Sequence, residues 1–341
     1  MTQTIIEYEN PDRATFRDEV YANARPAVLR GVGAELEAVK LAKSDPQAFA
    51  DWLKNSVGSR EIDVLSGKED AGPTFFYDPG VTELNFTRGR TPFATFIDEV
   101  FGSSDADRMI YLESTPIAEL SPALAQALSI PLMPESMAPR VWMGNHTGTH
   151  THFDIQQNVA YVVSGRRRFT LYPPSQTPNL YMAPFEKSPS GAPISLVQPE
   201  DPDLERFPRF AEAMEHAVRV ELGPGDAIFI PYMWWHHVKA TGRLNILVNY
   251  WWNEFKPMGS PVDAMLHAIL TVRDLPPPMR EAWQTMFETF VFKQHGEPME
   301  YLEPSQRGGL GPIDERARVQ MWQSLGASLS ETMQRAFNAK V

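Results

Sequence analysis

Residues 139–254 form a succession of short β-rich runs separated by turn residues, and this pattern constrains the fold more than any other feature. The runs, in chain order, are RVWMGN, THTHFD, NVAYVVSG, RRFTLYPP, APISLV, AVRVELG, AIFIP and LNILVNYWW. Many short strands with such punctuation indicate a sandwich or a barrel. The 30 prolines of the chain, nearly double the usual share of about 5%, favour turns and short strands over a helical bundle.

The segments on either side of this stretch contain helices. Near the start, the sequence predicts helices over 12–24 and 45–57, each with an Asp placed to cap its N-terminus and apolar residues three or four apart. Towards the end, PVDAMLHAILTVRDL and MREAWQTMFETFVF predict two helices with apolar stripes. These two helices either pack on the barrel of their own chain or form a subunit interface, because exposed Met, Trp and Phe suit isologous pairing.

Composition and charge limit the function classes. The chain is 43% apolar and 22% charged, as folded globular proteins are. A net charge of −12 makes nucleic acid an unfavourable partner, because phosphate binding needs a basic surface. The chain has no cysteine, which excludes disulfides and thiolate metal sites, so a metal site must use His and carboxylate ligands.

The ends and the hydropathy give no sign of a membrane. The N-terminus, MTQTIIEYENPDR, lacks the basic segment and apolar stretch of a signal peptide. No apolar run approaches the ~20 residues needed to cross a bilayer. The sequence therefore predicts a cytoplasmic protein.

Histidine is concentrated in GNHTGTHTHFD, residues 144–154, which holds three of the eight histidines of the chain. On a strand, His146, His150, His152 and Asp154 share one parity and would face one side. Three imidazoles with a carboxylate favour a metal site over a purely structural cluster. A second segment, GPGDAIFIPYMWWHHVKA (223–240), can supply a closing ligand.

The spacing of glycine and proline narrows the choice of closing ligand. Five residues separate Gly144 from His150, and five separate Gly225 from Pro231, with His236 five positions further on. These spacings resemble the two strand motifs of the cupin superfamily of small barrels, in which side chains of adjacent strands converge inside the barrel. The match selects His236 over His237, which alternation places on the opposite face.

Two ligand sets remain open at this point. One is the usual cupin set, which has His150, His152 and His236 together with a glutamate separated from His152 by three or four residues. This chain has Gln156 and Gln157 at those positions, and glutamines are poor ligands. The other set is His152, Asp154 and His236. Two histidines and one carboxylate fill one face of Fe(II) and leave positions for a bidentate co-substrate and O₂. The glutamines favour this second set, and His146 and His150 then face the substrate or serve the structure.

Four longer segments resemble the JmjC-type 2-oxoglutarate oxygenases: HFDIQQNVAYVVSGRRRFTLYPP, ERFPRF, GPGDAIFIPYMWWHHV and LVNYWW. Within that family the chain is most similar to the cupin-like group that contains the asparaginyl hydroxylase acting on hypoxia-inducible factor. The resemblance implies a mainly β fold with flanking helices: a double-stranded β-helix (jelly roll) with an α/β N-terminal region and a C-terminal helical pair. It also implies Fe(II), held by His152, Asp154 and His236, and 2-oxoglutarate as co-substrate.

The same resemblance implies which residues surround the co-substrate and the metal. They are Tyr111, Thr149, Asn158, Asn249 and Trp251. One position departs from the family, because Arg167 stands where the relatives carry a lysine that binds the distal carboxylate. Alternation places Arg167 on the face of Phe169 and Leu171, and an inward arginine can bind a carboxylate with two donors. An altered pose of 2-oxoglutarate and a different acid both remain open.

The predicted regions are 1–120, an α/β part packed on and partly extending the barrel, 121–256, the barrel core, and 257–341, a helical part and candidate dimer interface. The predicted activity is hydroxylation of a C–H bond in a protein or small molecule, with release of succinate and CO₂. Demethylation, which begins with the same step, is not separated from it. Two alternatives remain: a cupin isomerase or dioxygenase that does not use 2-oxoglutarate, and a non-catalytic barrel scaffold.

Overall fold

The computed structural model of the chain describes residues 4–68, 71–77, 83–104, 108–184, 188, 191–253, 259–311 and 313–338. The strands found in these residues are β1 (Ile6–Glu9), β2 (Ala27–Arg30), β3 (Glu61–Gly67), β4 (Thr74–Phe75), β5 (Phe86–Pro92), β6 (Ile110–Pro116), β7 (Arg140–Gly144), β8 (Gly148–His152), β9 (Gln157–Tyr172), β10 (Val218–Leu222), β11 (Ala227–Ile230) and β12 (Trp235–Trp252). The α-helices are α1 (Arg13–Thr15), α2 (Glu37–Ser44), α3 (Pro46–Val57), α4 (Phe93–Gly102), α5 (Ile117–Leu120), α6 (Pro122–Ala127), α7 (Phe210–Glu215), α8 (Pro261–Thr271), α9 (Pro277–Phe290) and α10 (Glu315–Asn338). A π-helix follows α1 at Phe16–Tyr21, and short 3₁₀ turns lie at Pro174–Asn179, Pro304–Gln306 and Gly308–Leu310.

All the strands belong to one 12-stranded mixed sheet in the order β1-β2-β11-β9-β12-β7-β6-β3-β5. Three strands branch from this path: β10 pairs with β9, β8 with β12, and β4 with β8. Two pairs are parallel, β1 with β2 and β4 with β8, and the others are antiparallel. Over the described residues the sheet does not close on itself. The predicted mainly β, jelly-roll type of fold with flanking helices is confirmed.

Two long neighbouring strands, β9 and β12, form the centre of the sheet. The sequence predicted two runs where the structure has the single strand β9, which bends at Gly165 with a positive φ of +76°. The register with β12 shifts opposite this bend, between Thr241 and Ile246. Because of the bend, even-numbered residues such as Ala160 face the inside before Gly165, and odd-numbered residues such as Phe169 face it afterwards. Side chains from both halves of β9 therefore converge on one cavity.

The core lies on both faces of the sheet, as the continuous apolar character of β9 requires. Val159, Tyr161 and Val163 pack against helices α2, α3 and α4. Ala160 and Val162 pack on the other face with residues of β2, β10 and β11. The three helices are amphipathic and bury one side, and Asp45 caps the N-terminus of α3 through the amide of Ala48.

The chain divides into two compact units, Met1–Glu254 and Phe255–Val341. The second unit contains the predicted helical pair, α8 and α9, together with the 24-residue helix α10, which the sequence analysis overlooked. The predicted region boundary at 120/121 stays a prediction, and the one at 256/257 lies outside the described residues. Within the described part of the chain, none of the helices has the length and apolarity required to span a bilayer.

Candidate metal centre

Two neighbouring strands bring three candidate ligands together. His152 ends β8, Asp154 follows two residues later, and His236 lies near the start of β12, directly opposite His152 in the antiparallel ladder. Each of the three offers a ligand atom, and these atoms lie within 4.8 Å of one another. Nε2 of His236 lies 3.8 Å from an oxygen of Asp154. Among the described residues, this is the His and carboxylate group that can hold a metal ion.

Hydrogen bonds fix the orientation of both imidazoles. Nδ1 of His152 donates to the carbonyl of His150 at 2.9 Å, and Nδ1 of His236 donates to the carbonyl of Trp234 at 3.0 Å. A carbonyl only accepts, so Nδ1 carries the proton and Nε2 presents a lone pair in each ring. Burial, together with His152, lowers the pKa of His236 to about 4, against the opposing effect of Asp154. The ring is therefore neutral at neutral pH, which is the form that binds a metal.

The turn before β12 holds Asp154 in place. The main-chain oxygen of Asp154 accepts from the amide of Met233 at 2.9 Å, and Met233 adopts a left-handed φ of +61°. In the same turn, the amide of Tyr232 donates to the side chain of Gln157 at 3.1 Å. Gln157, at the usual glutamate position of cupins, thus links two segments of the main chain. Together with the convergence of Asp154, this contact favours the ligand set His152, Asp154 and His236 over the set with His150.

The three candidate ligands line a cavity of about 400 Å³. The structure brings every predicted site residue to this cavity: Tyr111, Thr149, His152, Asp154, Asn158, Arg167, His236, Asn249 and Trp251. Aromatic and aliphatic side chains, among them Phe75, Phe86 and Leu247, form the rest of the wall. The functional roles of these residues stay predictions, but their convergence on one space is a property of the fold.

Arg167 places a positive charge in this largely apolar cavity. Its side chain is 1% exposed, and its Nε and Nη2 have no hydrogen-bond partner within the described part of the chain. Burial lowers the pKa of Arg167, and the hydroxyl of Tyr111, which hydrogen-bonds with it, opposes this shift. Arg166 and Arg168 instead point outward to Glu221, at 3.1 and 3.8 Å. Of the three consecutive arginines only the middle one enters the cavity, as alternation predicts.

A chain of side-chain hydrogen bonds connects two predicted residues to one that the sequence analysis missed. The indole Nε1 of Trp142 donates to Oδ1 of Asn249 at 2.8 Å, and the amide of Asn249 donates to Asn158 at 3.2 Å. Trp142 also packs edge-on against Trp251, with ring centroids 5.7 Å apart. Alternation along β7 could have placed Trp142 on the face of the cavity, because its neighbours Val141 and Met143 pack into the apolar core on the other face of the sheet.

The remaining predicted residues have identifiable surroundings. Thr149 donates from its hydroxyl to the carbonyl of Val238 at 3.4 Å. His150 is buried in the cavity wall, where its Nδ1 lies 3.3 Å from the carbonyl of Phe75, and it is not part of the ligand cluster. His237 is also buried, and this burial lowers its pKa to about 4. His146 lies in the bend between β7 and β8, outside the cavity wall.

Comparison with known proteins identifies the family. A model of the cupin-like domain matches residues 13–258. The chain belongs to the cupin-like domain family. Its resemblance to JmjC-type Fe(II)- and 2-oxoglutarate-dependent oxygenases is thereby confirmed.

Three relatives show how far the similarity extends. Lysine-specific demethylase JMJ31 of Arabidopsis thaliana is 30% identical over 273 residues, which are 70% of this chain and 48% of the relative. The tRNA wybutosine-synthesizing protein 5 of Gallus gallus is 26% identical over 259 residues, 70% of this chain and 74% of the relative. HSPB1-associated protein 1 of Homo sapiens is 40% identical over 116 residues, 33% of this chain and 22% of the relative. This cupin-like chain therefore spans about half of the demethylase and about a fifth of the human relative.

Proposed function

We propose that this cupin-like protein is an Fe(II)- and 2-oxoglutarate-dependent oxygenase that hydroxylates a C–H bond of a protein or small-molecule substrate. The observation that carries the proposal is the pairing of two features in one cavity. One is the cluster of His152, Asp154 and His236. The other is the buried guanidinium of Arg167, two donors of which are unpaired within the part of the chain that the structure describes. A metal cation fits the first feature, and an organic anion fits the second.

The donor set fits Fe(II). Two neutral imidazoles and one carboxylate on one side of a metal leave the other coordination positions free for a chelating co-substrate and O₂. His152 and His236 would each bind through Nε2, since Nδ1 of each ring is engaged with a main-chain carbonyl. Asp154 would supply one oxygen and compensate part of the metal charge.

The other side of the cavity fits the distal carboxylate of 2-oxoglutarate. Arg167 would donate from Nε and Nη2 in the fork geometry that matches a carboxylate, and Tyr111 would orient the guanidinium. Thr149, which lines the same cavity from β8, would also contact 2-oxoglutarate. When bound together with O₂, Fe(II) and 2-oxoglutarate would supply oxidative decarboxylation of the co-substrate to succinate and CO₂, with one oxygen atom entering succinate and the other hydroxylating a C–H bond.

The other residues of the cavity would position and shield the reactants. The bond between Asn249 and Asn158 holds their amides in one orientation, and Trp142 fixes the far end of this chain. Trp251 packs against Trp142 in the cavity wall and would help to exclude water from the reaction. We assign Trp251 this supporting role.

The net charge supports the substrate class that we propose, and the relatives suggest the alternatives. Two of the similar proteins are named as lysine-specific demethylases, and two are named as tRNA wybutosine-synthesizing protein 5. With a net charge of −12, a protein or a small molecule is the substrate that we propose, in preference to a nucleic acid. Demethylation would proceed through hydroxylation of the methyl group, so the same site serves either outcome.

We also propose that the chain forms a homodimer through its C-terminal helices. Helices α8 and α9 expose apolar side chains that a monomer would rarely leave in water: Met265, Leu266, Leu270, Met279, Trp283 and Met286. A surface of this kind suits isologous contact with a second copy.

The experiment that tests the oxygenase proposal measures succinate. The purified protein is incubated with Fe(II), ascorbate, O₂ and 2-oxoglutarate, and we expect slow succinate formation even without substrate. Binding of 2-oxoglutarate to the Mn(II)-loaded protein, measured by calorimetry, is a second readout. Metal binding without either signal would favour a cupin metalloenzyme that does not use 2-oxoglutarate. Absence of metal binding in a folded protein would favour a scaffold.

A further inference from the structure

The sheet splits between β3 and β6, although the two strands begin as an antiparallel pair. Pairing covers only Leu65↔Tyr111 and Ser66↔Ile110. Continuing the same register would place Asp63 opposite Glu113, but no ladder forms there. We call the gap between residues 61–64 of β3 and residues 112–116 of β6 the β3–β6 slot. A cavity of about 630 Å³ lies in this slot.

A bulge in β6 explains why the strands separate. The register between β6 and β7 shifts between Leu112 and Thr115, and Ser114 adopts a left-handed φ of +39°. Arg140 of β7 fixes this conformation, because its guanidinium donates to both the hydroxyl and the carbonyl of Ser114. A bulge bends its strand, so the second half of β6 leaves β3.

The separation leaves main-chain hydrogen-bonding groups of β3 without a partner strand. The amide of Gly67 donates to Met109 on the β6 side, and the carbonyl of Arg60 accepts from Phe93 on the β5 side. Odd-numbered residues of β3 therefore direct their N–H and C=O groups towards β6. For Glu61 and Asp63 that direction is the slot. Such an edge is a template for an additional strand.

The slot adjoins the candidate active-site cavity. Leu65, Glu113 and Ser114 line both spaces. Residues 61–64 extend the slot by about 13 Å from this junction, at ~3.3 Å per residue. A segment bound along β3 would therefore end at the mouth of the cavity that contains the metal ligands.

The lining of the slot differs between its two faces. Ile62, Val64 and Leu112 belong to the apolar core on one face. Arg88, Arg90 and Glu113 lie on the other, where Arg88 and Glu113 form an ion pair at 3.4 Å. An inserted strand with alternating apolar and charged side chains would match both faces. The mixture of arginine and carboxylate is unsuited to a phosphate backbone.

We propose that the β3–β6 slot binds an extended polypeptide segment by strand addition, with the main chain of Asp63 as a hydrogen-bonding partner, and delivers that segment to the mouth of the cavity. This inference rests on the proposed function only in one respect, namely that the bound segment would be a substrate for the reaction in the cavity. The docking itself requires neither Fe(II) nor 2-oxoglutarate.

The test uses a random dodecapeptide library displayed on phage and selected on the full-length protein. Enriched peptides are synthesised, their affinities are measured, and amide hydrogen exchange of the protein is compared with and without peptide. We expect new protection at residues 61–64 and 112–115. The variant Asp63→Pro removes the N–H that faces the slot and should weaken binding roughly tenfold, whereas Asp63→Ala keeps that N–H and should bind like the parent protein.

Several results would overturn the proposal: no enriched peptide, protection only elsewhere, or equal affinity for parent protein and Asp63→Pro. Protection of the slot by a single-stranded oligonucleotide, but not by peptides, would also overturn it, in favour of nucleic acid. If Asp63→Pro does not fold, the exchange pattern of the parent protein decides alone. Succinate formation is measured separately. Peptide binding without succinate formation would reject the proposed oxygenase activity and retain the proposed peptide-binding slot. Succinate formation without peptide binding would reject the slot and retain the oxygenase.

Discussion

Arg167 is a guanidinium held among apolar side chains. Tyr111 hydrogen-bonds with it, but its Nε and Nη2 have no hydrogen-bond partner among the described residues. A buried, unpaired cation is costly, and it persists where a ligand completes its hydrogen bonds. A lysine at this position would present one point charge, whereas arginine presents a planar fork. Because of this difference, replacing Arg167 is the most direct test of whether the cavity binds an acid.

The variant Arg167→Ala should weaken binding of 2-oxoglutarate more than it weakens binding of Mn(II). Loss of a charge-assisted contact predicts a decrease of about tenfold to a hundredfold in co-substrate affinity. Calorimetry on the Mn(II)-loaded protein measures this decrease. The adjacent variant Arg168→Ala is the matched control, because that side chain points outward to Glu221. Equal losses for metal and co-substrate would mean that Arg167 has a structural role.

The variant Asp154→Ala should lose metal affinity, because it removes the only carboxylate of the ligand cluster. Replacing a residue that only hydrogen-bonds to a metal ligand usually lowers metal affinity 10–100-fold. Removing a ligand itself should therefore lower metal affinity more than roughly a hundredfold. Mn(II) titration followed by electron paramagnetic resonance measures it. Asp51→Ala, which removes an exposed carboxylate of α3, should bind Mn(II) normally. Unchanged affinity in Asp154→Ala would reject Asp154 as a ligand.

Spacing and alternation along single strands predicted the candidate metal ligands and the inward direction of Arg167, whereas the other cavity residues were implied by the family resemblance: Tyr111, Thr149, Asn158, Asn249 and Trp251. Spacing and alternation place His152 and Asp154 on one segment, select His236 over His237 and turn Arg167 inward. They could not reveal that Trp142 donates to Asn249, because that bond joins residues 107 positions apart. They also could not assign Gln157, whose partner is a main-chain amide 75 residues away. Such contacts depend on which strands become neighbours.

The bend in β9 is the element that converts two predicted runs into one strand. Gly165 lies at a positive φ, and a Cβ at this position would lie 2.0 Å from Oδ1 of Asn245 on β12. Before the bend Asn158 faces the cavity, and after it Arg167 does. The sequence shows the glycine but not that the strand continues beyond it, because Ser164 followed by Gly165 is equally typical of a turn.

The variant Gly165→Ala should destabilise the protein by about 1–3 kcal/mol, because a side chain is disfavoured at this φ and collides with Asn245. Thermal unfolding followed by circular dichroism measures the change. Gly89→Ala is the control, since a Cβ there meets nothing within 4 Å. A melting temperature equal to that of the parent protein would show that the bend tolerates a side chain.

Helix α10 shows a different limit of the prediction. The spacing of Val319, Trp322, Leu325 and Leu329 along this segment is helical, and the sequence analysis overlooked it. By contrast, the β3–β6 slot has no signature in the sequence. It results from a bulge that depends on Arg140 reaching Ser114 from the neighbouring strand.

At the scale of the whole molecule, the chain divides into two units, Met1–Glu254 and Phe255–Val341. Every residue of the candidate metal centre lies in the first unit. The helices of the second unit contain no buried residue, and they carry many of the large apolar side chains that the described chain exposes. The proposed association of two chains through this unit would cover these side chains.

We therefore expect the variant Trp283→Asp to dissociate the proposed dimer. Trp283 is 48% exposed on α9, and a carboxylate there would be buried in an apolar interface. Light scattering coupled to size-exclusion chromatography measures the mass. The neighbouring variant Gln284→Asp is the control and should remain a dimer. A parent protein of monomer mass, or a dimeric Trp283→Asp, would contradict the interface.

The ladder between β9 and β12 has a consequence for how the molecule assembles. The bond between Asn249 and Asn158 connects residues 91 positions apart, and His236 meets His152 through the same non-local arrangement. Proteins dominated by such pairings have a high contact order and fold in milliseconds to seconds. The candidate metal centre should thus be among the last features to form, and Mn(II) binding during refolding should follow the slowest kinetic phase of the chain.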